Sequence, residues 1–71
     1  MKYAAMIEKG PTSYGATVLD LPGCVAVAET LAEVETLIRE AIEFHIEGFR
    51  QDGLPVPPPT TICEYVETQA A

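Results

Sequence analysis

Asp20-Leu21-Pro22-Gly23-Cys24-Val25-Ala26-Val27-Ala28-Glu29-Thr30-Leu31-Ala32-Glu33 holds a turn, a strand and a helix start in one continuous run. Pro22-Gly23 marks a tight turn. Proline presets φ at the first central position, and glycine takes the positive φ that the second requires. Residues 24–28 carry no charge and read as a strand. Thr30-Leu31-Ala32-Glu33 is a capping box. The Thr30 hydroxyl is expected to accept from the Glu33 backbone N–H, and the Glu33 carboxylate to accept from the Thr30 N–H. A β-rich half therefore ends here and a helix begins.

The helix is expected over residues 31–51, stopped by Asp52-Gly53. Leu31, Val34, Ile38, Ala41, Ile42, His45 and Phe49 recur at three- and four-residue spacing and form one apolar stripe. Leu37 and Ile46 widen it, while Glu33, Glu40, Glu43, Glu47 and Arg50 lie opposite. Upstream, residues 2–8 and 14–19 read as two strands, separated by the turn cluster Lys9-Gly10-Pro11-Thr12-Ser13. Downstream, Leu54-Pro55-Val56-Pro57-Pro58-Pro59 lacks backbone donors and favours an extended polyproline course back along the sheet. Residues 60–67 read as a last strand. Residues 1–67 are thus expected to form a single domain, and residues 68–71 a short frayed tail.

The expected fold is α+β, in the order β-β-β-α-β. The helix makes a crossover, so the fourth strand runs parallel to the first, in a four-stranded mixed sheet of order 3-2-1-4. The first strand looks central because Tyr3, Ala5 and Ile7 point one way and Ala4 and Met6 the other. One helix covers only one face of such a sheet. The other face would expose some of Ala4, Met6, Thr17, Leu19, Val25 and Val27, and exposed apolar patches mark interfaces. Domains of this size also gain from association. A two-fold homodimer, able to pair again into a tetramer, is the expected state.

With 71 residues, 48% of them apolar, the chain is one small globular domain and not a disordered tail. Four basic against eleven acidic residues give a formal charge of −7. Such a surface repels phosphate backbones, so no direct nucleic-acid binding is expected. A basic partner suits it better. No stretch has the length of a signal peptide core or a membrane span, so no membrane contact and a cytoplasmic location are expected.

Candidate chemistry is sparse. Cys24 and Cys63 are expected on opposite edge strands, about 14 Å apart at ~4.8 Å per strand interval, too far for a disulfide or a shared metal. Both read as small apolar fillers. His45 falls within the apolar stripe and reads as a packed ring with one nitrogen hydrogen-bonded, rather than as a base. Glu8 at the end of the first strand, Glu64 and Glu67 on the fourth and Asp20 in a turn do not assemble the mid-strand carboxylates that a two-metal nuclease needs. Phosphate loops, zinc-ligand pairs and nucleophile motifs are absent. No enzymatic activity, cofactor or metal is expected.

Leu19-Asp20-Leu21-Pro22-Gly23-Cys24, then Glu29-Thr30-Leu31-Ala32-Glu33, then Asp52-Gly53-Leu54-Pro55-Val56-Pro57-Pro58-Pro59 resemble the HicB-like antitoxin family over nearly the whole chain. That family shows a "DLPGC" turn, a Gly-Asp-Thr-x-x-Glu-Ala helix start and a "G-x-P-x-P-x-P" exit. Ala28-Glu29 stands here for Gly-Asp, and Val34 for Ala. The resemblance implies a degenerate ribonuclease H-like fold without nuclease residues. It also implies an antitoxin that masks a small basic RNA-cleaving toxin without catalysis. Many members add a C-terminal DNA-binding domain, and a chain ending at Ala71 is expected to have none. The alternative is an oligomeric interaction or regulatory module without a toxin. Pro22, Gly23, Thr30, Glu33, Gly53, Pro55 and Pro57 read as structural motif residues, and Glu40, Glu43 and Glu47 as candidate partner contacts.

Overall fold

A computed structural model describes residues 1–70. Ala71, at the end of the expected tail, lies outside the described residues. Three strands, β1 (Ala5–Lys9), β2 (Tyr14–Val18) and β3 (Val25–Ala28), precede one helix, α1 (Leu31–Gln51). The strands form an antiparallel meander in the order β1-β2-β3. Ala5 pairs with Val18 and Lys9 with Tyr14; Tyr14 also pairs with Ala28, and Thr17 with Val25.

This register sends Ala5, Ile7, Ala16, Val18, Ala26 and Ala28 to one face, because successive side chains alternate. Helix α1 covers that face over β2 and β3 and scarcely reaches β1. The buried core is Ala16, Val18, Leu21, Cys24, Val34 and Ile38, with Tyr3, Ala5, Tyr14, Ala41, Ile42 and Phe49 packed around it. Val34 and Ile38 lie four apart on one helix face, at the centre of the stripe read from the sequence.

The link between β2 and β3 is itself core. The Cys24 N–H donates to the Leu21 carbonyl at 3.0 Å, and Gly23 has φ +82°. With Pro22 before it, this is a type II turn. The Val18 N–H donates to the Cys24 carbonyl at 3.0 Å, closing the loop below it. Leu21 and Cys24 are thereby turned inward and are fully buried.

Both helix ends follow the sequence reading, with one difference. The Thr30 hydroxyl accepts from the Glu33 N–H at 3.1 Å, as a capping residue should. The return arm of the box differs: the hydroxyl donates to Glu33 Oε1 at 2.9 Å, in place of the Thr30 backbone N–H. At the other end, Leu54 N–H donates to the Phe49 carbonyl and Gly53 N–H to the Arg50 carbonyl, with Gly53 at φ +68°. This is a Schellman stop built on a left-handed glycine.

The expected four-stranded sheet is not formed. Residues 60–67 carry no strand, so the β-β-β-α-β order, the 3-2-1-4 arrangement and the ribonuclease H-like outline are corrected to β-β-β-α with a three-stranded antiparallel sheet. The physical reason lies at Asp20. Its Oδ2 accepts from the backbone N–H groups of Thr60 and Thr61, both at 2.9 Å, and its Oδ1 accepts from their hydroxyls at 3.1 and 2.8 Å. These amides serve a carboxylate at the sheet corner and not a ladder with β1. Strand composition favours a strand only where a neighbour supplies the pairing. Consequently β1 is an edge strand and not the central one.

The proline segment does return towards the sheet. Tyr3 Oη donates to the Pro57 carbonyl at 2.6 Å. Val56, Pro57, Pro59 and Thr61 are half-buried, whereas Leu54, Pro55, Pro58 and Thr60 are exposed. From Pro57 to Thr61 every second residue thus rests on the body.

Candidate functional site

The outer face of α1 is acidic. Its helix carries five glutamates (Glu33, Glu35, Glu40, Glu43 and Glu47) against two arginines (Arg39 and Arg50), and all seven are exposed. At 100° per residue, Glu40, Glu43 and Glu47 fall on the side opposite the buried Val34 and Ile38. The structure therefore brings the three candidate contact residues onto one exposed surface.

Phe44 was not among the residues singled out by sequence. It is 78% exposed on the flank of that surface, and lies four residues after Glu40 and three before Glu47. Residues at those spacings are neighbours on a helix surface. The signal was present: Phe44 falls outside the apolar stripe, and a large aromatic off the stripe must face either solvent or a partner. Leu37, also exposed, lies one heptad before it.

Next to Phe44 the helix end forms an open hollow of about 210 Å³, lined by Phe44, His45, Gly48, Phe49, Asp52 and Leu54. His45 Nδ1 lies 2.9 Å from the Ala41 carbonyl. A carbonyl only accepts, so Nδ1 carries the proton in that contact. The ring is half-buried and edge-on to Phe44, with centroids 6.4 Å apart. Its position is that of a packed ring with one nitrogen satisfied.

The sheet offers a second surface. Met6, Thr17, Val25 and Val27 share the face turned away from α1. Met6, Val25 and Val27 are exposed, as is Leu19 just beyond β2. The apolar patch expected from the strand pattern is present.

The remaining residues fall into structural roles. Pro22 and Gly23 shape the turn, Thr30 and Glu33 cap the helix, and Gly53 ends it. Pro57 receives Tyr3, while Pro55 stays exposed. Asp20 gains a role that its place in a turn did not reveal. The Thr61 backbone N–H and then its hydroxyl, joined by both Thr60 donors, hold its carboxyl below the ordinary carboxylate value against the opposing pull of desolvation. Cys24 is the small buried filler expected, with its thiol pushed up by burial. Cys63 is not a filler: it is exposed, because the strand expected to hold it is not formed. Among the described residues, no three His, Cys, Asp or Glu side chains lie close enough to hold a metal ion, and no helix is long and apolar enough to cross a membrane.

Comparison with known proteins yields three findings. The profile of a family described as the HicB-like antitoxin of bacterial toxin-antitoxin systems matches residues 3–70. A protein of Haemophilus phage HP1 (strain HP1c1), described as an uncharacterized 14.9 kDa protein in the rep-hol intergenic region, is 39% identical over 66 residues. That match covers 93% of this chain and 50% of the phage protein, so the chain spans about half the length of this relative. A chain of a solved HicA3 and HicB3 toxin-antitoxin complex superposes with a TM-score of 0.70 at 30% identity, covering 83% of this chain and 70% of that one.

Proposed function

The chain belongs to the HicB-like antitoxin family, and from that membership we propose that it neutralises a small basic RNA-cleaving toxin by covering it, without catalysis. The observation that carries this reading is Phe44, exposed beside Glu40, Glu43 and Glu47. A basic protein meeting this surface finds opposite charge, which speeds encounter and disfavours wrong partners. It also finds an aromatic ring on which an arginine can stack. Exposed aromatics that become desolvated on docking supply much of the affinity in protein interfaces. The solved toxin-antitoxin complex with a similar chain supports a toxin as the partner class. On this reading the chain works in the cytoplasm beside the toxin it covers, and the absence, among the described residues, of a helix long and apolar enough to cross a membrane is compatible with that.

The proposal predicts a small basic reading frame beside this one, and the test is calorimetric titration of the chain with its product. Saturable binding that weakens with added salt is the expected result. Phe44→Ala should weaken it about 30-fold, the equivalent of a ~2 kcal/mol interface anchor. The same substitution should leave the melting temperature nearly unchanged, because Phe44 packs on little of the core. Binding indifferent both to Phe44→Ala and to neutralisation of Glu40, Glu43 and Glu47 would move the contact elsewhere.

The open sheet face favours a second, compatible role in self-association. Met6, Leu19, Val25 and Val27 leave an apolar patch in water on a chain whose buried core has six residues. A second copy related by two-fold symmetry is the simplest cover for it.

A further inference from the structure

The chain carries a strand without a sheet and a sheet edge without a strand. Residues 61–67, Thr61-Ile62-Cys63-Glu64-Tyr65-Val66-Glu67, are β-branched or aromatic at four of seven positions. They form no strand, and among the described residues no backbone–backbone hydrogen bond ties them to the body. Ile62 is 82% exposed, Val66 is nearly as open, and Tyr65 is wholly exposed. On the other side, β1 is paired only with β2, and α1 scarcely covers it. Its edge contains no proline, and its charged residues, Glu8 and Lys9, sit only at its end. Free edges of this kind recruit strands.

We propose that residues 61–67 complete the sheet in trans: the arm of one copy adds to the free edge of β1 in a second copy, which returns its own arm by two-fold symmetry. This rests on the self-association proposed above and supplies its device. Three observations favour exchange over closure within one chain. The Asp20 latch fixes Thr60 and Thr61 at the sheet corner where β2 ends, so the departure point of the arm is set. To lie along its own β1 the arm must reverse just after the latch, and residues 60–67 contain no Gly, Pro, Asn or Asp to make that turn. The arm instead projects. A compact chain of this length has a radius of gyration of about 11 Å, whereas this one measures 14.0 Å, with a long axis of 49 Å.

Charge points the same way. The two lysines of this acidic chain lie towards the two ends of β1, Lys2 three residues before it and Lys9 as its last residue, and the arm carries Glu64 and Glu67. Seven extended residues span about 23 Å, which is enough to line all five residues of β1. Exchange of this kind leaves every native contact of the monomer in place and adds one ladder per copy.

The full-length chain serves for the test. Sedimentation equilibrium gives its mass, and isotope-filtered NOE spectra of a mixture of labelled and unlabelled chains show whether arm and β1 meet between copies. The expected result is a dimer with interchain NOEs from Ile62–Val66 to β1 and slowed exchange of the arm amides. Tyr65→Pro removes a ladder donor and should raise the dimer dissociation constant by at least ~10-fold. The arm packs on nothing in the monomer, so the helix signal of this variant in circular dichroism should persist, and Ile62→Asp provides a second variant of the same kind. A dimer whose arm amides exchange freely, or whose arm shows NOEs only to its own β1, overturns the exchange and leaves self-association standing. A monomer at all concentrations overturns both.

Discussion

Leu21→Ala is the substitution that most directly tests the architecture. Leu21 lies in the loop between β2 and β3, where a leucine would ordinarily be expendable. Here the type II turn drives it inward, and its exposure is 0%. Among the described residues the core holds only six buried side chains, and Leu21 is the bulkiest of those fully enclosed. Truncating a buried leucine costs ~2–5 kcal/mol through lost transfer energy and the cavity left behind. A domain of this length has a total stability of about 4–11 kcal/mol at ~0.05–0.15 kcal/mol per residue. The substitution should therefore remove roughly a fifth or more of the stability. It should lower the melting temperature by at least ~8 °C for a chain in this size range. Val25→Ala is the control, since Val25 lies three positions after the turn's proline and is 58% exposed. It should cost less than about 1 kcal/mol in the dilute monomer. Urea unfolding followed by circular dichroism measures both. Association stabilises by mass action, so a series of protein concentrations separates core loss from interface loss. The Leu21→Ala penalty should be independent of concentration, and the Val25→Ala penalty should grow with it. Equal penalties at high dilution, or a loss below ~1 kcal/mol for Leu21→Ala, would refute the placement of this loop in the core.

Two further predictions concern the chain's fixed points. Thr30→Ala removes the hydroxyl that satisfies Glu33 N–H and should cost ~1 kcal/mol in the same unfolding experiment, while Thr30→Ser should restore most of it. The Asp20 latch should respond to acid. Its carboxyl titrates below the ordinary value in the folded chain, so its contribution is complete above the unfolded pKa of about 3.9 and disappears as pH falls through the lower folded value. The amide resonances of Thr60 and Thr61 should follow that loss. A midpoint at or above the ordinary carboxylate value would contradict the hydrogen bonds assigned to Asp20.

Local signals in the sequence placed most elements correctly and failed where pairing was non-local. The α1 boundaries followed from Thr30-Leu31-Ala32-Glu33 and Asp52-Gly53, because capping chemistry acts within a few residues. The Pro22-Gly23 turn and the inward stripe through Val34 and Ile38 were legible for the same reason. The first strand was read over residues 2–8 and observed at Ala5–Lys9, a boundary set by where β2 offers partners. Residues 60–67 have strand composition, but composition says nothing about which edge is available. That outcome depends on Asp20, which lies forty residues from Thr60, and no local pattern links the two. Phe44 is hidden for a different reason: helical spacing defines the buried face and carries no information about what an aromatic beyond it meets.

The acidic face of α1, the far side of the sheet and the β1 edge occupy different parts of a two-layer domain. Glu40, Glu43 and Glu47 point away from the layer that Val34 and Ile38 bury. Met6, Val25 and Val27 point away from the same layer on its other side. A partner held by charge at α1 therefore need not displace a copy held by apolar contact at the sheet. The two associations should also differ in physics. Attraction between exposed charges is screened over about 8 Å at physiological ionic strength, while burial of apolar surface is not weakened by salt. Raising the salt should release a basic partner and leave the self-associated form intact. Each copy of the proposed dimer would then present its own Phe44, so the two proposals together predict a two-to-two complex, which sedimentation of the mixed proteins measures.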